Sequence, residues 1–123
     1  MPPKAIVDFE FARYDTFAHD LAMTISQNFV SYGLSSHSID VHLDTERMRQ
    51  FLQIYNKGRP LEAAELKAIE ENLVERIVTD TGHRNEHQHL LNDDQFREAV
   101  RHTKLTISEN FPREGIIAQR HQI

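Results

Sequence analysis

The chain has 123 residues, a net charge of −5, 39% hydrophobic and 27% charged residues, and no cysteine. That length suits one domain with its own hydrophobic core, and the lack of cysteine excludes a disulfide framework and a thiolate metal site. The acidic balance disfavours nucleic acid or anionic lipid as partners, and four Gly and four Pro are too few for a turn-rich β-sandwich.

Met1-Pro2-Pro3-Lys4 leads into Ala5-Ile6-Val7-Asp8, where Asp8 and Glu10 interrupt the apolar run that a signal peptide needs. No apolar stretch approaches the length of a membrane-crossing helix, so a soluble cytoplasmic protein with no membrane partner is expected. Val7, Phe9 and Phe11 alternate with Asp8, Glu10 and Ala12, which predicts a short strand or extended arm over 1–14. At Phe17, Leu21, Ile25 and Phe29 the period becomes four. This predicts a helix over 16–31, with Asp15 as N-cap and Gly33 and Ser35-Ser36 as its stop.

Residues 38–43 are ambiguous, since Ile39, Val41 and Leu43 alternate with Asp40 and His42 over a short run. A helix from about Thr45 carries Met48, Phe51, Leu52 and Tyr55 on one face, and Asn56-Lys57-Gly58-Arg59-Pro60 breaks it, with Gly58 as C-cap and Pro60 at the start of the next helix. The strongest helical pattern spans 61–78, with Glu62 and Glu65 early, Arg76 late and a stripe of Leu66, Ile69, Leu73 and Ile77. Thr79-Asp80-Thr81-Gly82 reads as an interruption, with Thr81 as a new N-cap and a separate short helix running to about Leu91. Asn92 and Gln95 have the spacing of a capping box, opening a last helix with Phe96, Val100, Ile107 and Phe111 on one face and Pro112 as its stop.

The tail, 112–123, holds Ile116, Ile117 and Ile123, and is either docked on the body or free to bind a partner. Phe9, Phe11, Phe17, Phe29, Phe51, Phe96 and Phe111 are all expected in the core. The fold class is therefore mainly α: residues 1–123 form a single helical domain, a compact bundle of four to five helices.

The chemistry concentrates in His83-Arg84-Asn85-Glu86-His87-Gln88-His89. On a helix, His83, Glu86 and His87 fall at i, i+3 and i+4 and share one face, so they can converge on a cation or a proton. His83-x-x-Glu86-His87 resembles a motif of the hemerythrin-like family, helical bundles that hold two irons with His and carboxylate ligands. His19, His42, Glu46 and His102 fall in a compatible order along the chain. The resemblance implies a non-haem site for iron or zinc. The family's acid five residues after the last histidine is here Ile107, and Glu109 lies two residues further on.

The same residues also spell the His-x-x-Glu-His of inverted zinc peptidases, but so short a chain cannot supply their substrate chamber. Arg84-Asn85-x-x-x-His89 resembles the Arg-x4–6-His motif of HEPN ribonucleases. That resemblance implies His89 as acid/base on a 2′-hydroxyl and Arg84 on the phosphate.

No catalytic constellation closes elsewhere. There is no Gly-rich phosphate loop and no nucleophile elbow. The leading expectation is a small acidic accessory module that binds a protein partner or another copy of itself, without catalysis or a firm cofactor. The metal site and the ribonuclease site are the alternatives.

Overall fold

The computed structural model describes residues 4–34 and 38–117, with backbone alone over 4–16 and at 34. The elements in chain order are α1 (Lys4–Phe29), β1 (Val30–Leu34), β2 (Ile39–Leu43), α2 (Thr45–Gly58), α3 (Ala63–Gln88) and α4 (Asp93–Asn110). The class is mainly α, with four helices and one two-stranded antiparallel sheet among the described residues. Among the described residues no helix is long and apolar enough to cross a membrane.

Two expectations at the N-terminal end are overturned. The segment carrying Val7, Phe9 and Phe11 is not extended: α1 is already helical from Lys4 and runs unbroken to Phe29. A two-residue alternation only five residues long competes here with good helix formers such as Ala5, Glu10, Ala12 and Arg13, and helix wins. The side chains of Phe9 and Phe11 lie outside the described set.

α1 also stops sooner than predicted. Val30 to Leu34 leave it as a strand pairing with β2 in the register Val30↔Leu43, Tyr32↔Val41 and Leu34↔Ile39. The intervening pairs, Ser31↔His42 and Gly33↔Asp40, present their exposed residues on the other face. The alternation in 38–43 is thus a true strand, with Ile39 and Leu43 buried. Ser35 and Ser36 lie outside the described residues.

α2 starts at Thr45, where the Asp44 carboxylate accepts from Arg47 N–H at 3.3 Å, and it buries Met48 and Leu52. Pro60 does not open the next helix. The connection runs on through Leu61, whose buried N–H donates to Asn56 Oδ1 at 2.8 Å, and α3 begins at Ala63.

The predicted break at Thr79–Gly82 is absent, and α3 is a single 26-residue helix. Its stripe of Leu66, Ile69, Leu73 and Ile77 continues to a fully buried Thr81. Tertiary burial one turn further on outweighs the weak local propensity of Thr and Gly. Gly82 sits against the Phe96 ring, where an added Cβ would lie 3.6 Å from Cζ.

α3 is the spine, packed against both α1 and α4. The capping box of Asn92 and Gln95 forms as predicted, with bonds of 2.9 and 3.0 Å. On α4 the fully buried positions are Thr103 and Ile107, followed by Phe111 at the cap, while Phe96 and Val100 are only half-buried.

The C-terminal segment is docked as far as it is described. Ile116 is fully buried, Gln53 donates to Gly115 O at 2.9 Å, and Asn56 donates to Ile116 O at 3.2 Å. Residues 118–123, with Ile123, lie outside the described residues.

Candidate functional site

The histidine segment forms the carboxyl end of α3 and its turn into α4. His89 closes the helix in the left-handed conformation (φ 50°, ψ 45°), its N–H bonded to Asn85 O. Asn85 then ties the corner, accepting from Leu91 N–H at 2.8 Å and donating to Leu91 O at 3.4 Å. Paired to one loop residue in this way, Asn85 fixes where α4 departs.

His83, Glu86 and His87 lie on one exposed face, as their spacing predicts, and with His89 they border an open depression of about 600 Å³. On its α4 side, His83, Glu86 and His89 also border a hollow of about 560 Å³ that reaches Asp93, Leu91 and Phe96. Among the described residues no three His, Asp or Glu side chains are gathered around a point that could hold a metal ion.

Arg84 faces another way. Its guanidinium lies 4.4 Å from the centroid of the Tyr32 ring, so it is held against the hairpin while His89 borders the depression. Tyr32 in turn donates to Asp80 Oδ2 at 3.5 Å, and Asp80 lies 3.6 Å from Arg76 Nε. Burial, and then the Asp80 charge, push the Tyr32 hydroxyl up to about 12. Arg84 and His89 thus lie in different surroundings, the one against Tyr32 and the other at the depression.

The remaining candidates are dispersed. His19 is exposed on α1, and His42 is exposed on the outer face of β2 opposite Ser31. Glu46 pairs with Arg49 at 2.5 Å, and His102 is exposed on α4 in a hollow it shares with Asp40 and Glu98. Ile107 is fully buried in the core, and Glu109 is exposed. None of these residues borders the depression at His83.

A further feature was not read from the sequence. Ala63, Leu66, Lys67, Glu70 and Glu71, at i, i+3, i+4, i+7 and i+8 on α3, line a groove of about 460 Å³ with Arg113 and Ile117. Arg113 grips Glu70 through both carboxylate oxygens at 2.6 Å, which marks the level where α4 has ended. The sequence pattern held no signal for it, because it divided α3 at Thr79–Gly82, whereas α3 runs for 26 residues against the 18 of α4. About 1.5 Å of rise per residue leaves the first turns of α3 running past its neighbour.

Comparison of the chain with protein-family models, with curated proteins and with solved structures gives no match.

Proposed function

We propose that this protein is a binding module whose partner is a protein, received as an amphipathic helical segment in the groove along the first turns of α3. The observation that carries this reading is the α3 face that α4 leaves uncovered. The groove runs along α3 at the level where α4 has ended, so a helix can lie beside α3 there as α4 does further along. Its floor is apolar, from Ala63, Leu66 and Ile117. Lys67 and Glu71 on its rim have no ion-pair partner among the described residues, so they are free to meet an acid and a base on the incoming helix.

The test places a photo-crosslinking residue at position 67, with one at exposed Ile54 on α2 as a control, in cells that make the protein. The expected result is one discrete adduct from position 67, absent from position 54 and lost on Ala63→Glu, an exposed site that tolerates the change. An adduct at twice the chain mass would identify the occupant as a second copy. No adduct, or one that Ala63→Glu leaves intact, would refute the reading.

A further inference from the structure

A second site, independent of the groove, lies at the other end of α3. His83 and His87 are one helical turn apart on the same exposed face, with Glu86 beside them. At this spacing two side chains start roughly 5–6 Å apart at their Cβ atoms and can reach one ion from the same side. His89 would follow the helix away from this pair if α3 continued. Its left-handed backbone turns it out of the helix, and it borders the same depression.

Among the described residues none of these four side chains is held in a hydrogen bond or ion pair, so their donor atoms are uncommitted. The last carbonyls of a helix carry its negative end, which favours a cation there, and Asp93 and Asp94 add negative charge at the start of α4. His19, His42 and His102 each stand on a separate element.

We infer that the carboxyl end of α3 is a surface chelate for a single borderline transition-metal ion of the zinc class, held by His83 and His87 and completed by Glu86 and His89. Imidazole nitrogens with one carboxylate select zinc, nickel or copper over magnesium and calcium, which require oxygen donors. The four side chains surround the depression rather than meeting at a point. Binding therefore draws exposed rotamers together, at an entropic cost that keeps the affinity below that of a closed structural zinc site. The site needs no ligand from α1, α2 or the hairpin, which sets it apart from a di-metal centre inside a bundle.

The experiment is calorimetric titration of the untagged full chain with Zn²⁺ in a non-chelating buffer at neutral pH, with Mg²⁺ as a control ion. The expected result is about one Zn²⁺ per chain, no heat with Mg²⁺, and a higher melting temperature in the presence of Zn²⁺. His83→Ala or His87→Ala should weaken binding at least tenfold, and His89→Ala less, while His42→Ala and His102→Ala should leave it unchanged. All five positions are exposed, so the variants should keep the wild-type circular dichroism spectrum. Absence of Zn²⁺ binding, or binding that survives loss of both His83 and His87, overturns the inference.

Discussion

The Arg84 guanidinium lies over the Tyr32 ring at 4.4 Å, and the Tyr32 hydroxyl reaches Asp80 one turn earlier on α3. One tyrosine on β1 thus fastens the hairpin to the far half of the spine through a cation–π contact and a polar contact at once. The contact engages the one arginine that sequence reasoning had assigned to an RNA phosphate.

The first prediction follows from Tyr32, whose hydroxyl is raised to about 12 by burial and then by Asp80. The group is an acid with its folded value above its unfolded one, near 10. Its contribution to stability is therefore full below about pH 10 and is lost as pH rises towards 12. Spectrophotometric titration should show a late-ionising component that Tyr32→Phe removes. Asp80→Asn should bring it down, and Arg84→Ala, by removing a cation that favours phenolate, should push it higher. A titration that Tyr32→Phe leaves unchanged above about pH 10 would contradict this geometry.

Leu73 is fully buried at the middle of the spine, within the core that joins α1 and α3. Leu73→Ala should cost about 2–5 kcal/mol, as core truncations that leave a cavity do. Phe96→Ala should cost less, because Phe96 is half-buried and stands outside that cluster. Urea unfolding of both variants checks the order, and equal losses would place the core too far towards α2 and the first half of α3.

Asn56 links two segments distant in sequence, accepting from Leu61 N–H and donating to Ile116 O. Asn56→Ala removes both side-chain hydrogen bonds, a loss of about 1 kcal/mol for each. It should also loosen the C-terminal segment, so tryptic cleavage after Arg113 should quicken more than cleavage within α3. An unchanged digestion pattern would mean that the docking rests on Ile116 alone.

The legible parts of this fold are those where one helical face is buried along its whole length. Met48 with Leu52, and Leu66 through Ile77, repeat at the helical period and lie in the core. The Asn92–Gln95 capping box was readable because its two bonds are local. β1 was missed because Phe29 extends the four-residue repeat of α1 to its last residue. The strand that follows is five residues long, too short to stand out by its own alternation, and its register depends on Val41 and Leu43 across the hairpin. At the histidine segment the shared face of His83, Glu86 and His87 was readable from spacing. The divergence of Arg84 from His89 was not, because it depends on Tyr32 and on a left-handed cap. The groove depends on where α4 stops relative to α3, a tertiary relation that no local window contains.

Gly82 gives the sharpest separation between the local pattern and the observed helix. If Thr79–Gly82 were a break, a glycine there would serve the turn, and alanine would strain it or leave stability unchanged. In the structure Gly82 lies inside α3, has no positive φ, and has room for a methyl group at ordinary contact distance from Phe96. Alanine at an interior helical site removes backbone freedom from the unfolded chain and adds side-chain contact. Gly82→Ala should therefore stabilise the protein by about 0.5–1 kcal/mol. A companion change has the opposite logic: His89 sits at φ 50°, where a side chain costs energy, so His89→Gly should also stabilise, by about 1 kcal/mol. The two sites lie seven residues apart and serve different purposes, so the gains should add. A lower urea midpoint for Gly82→Ala would restore the broken helix, and with it a different placement of His83 and His87.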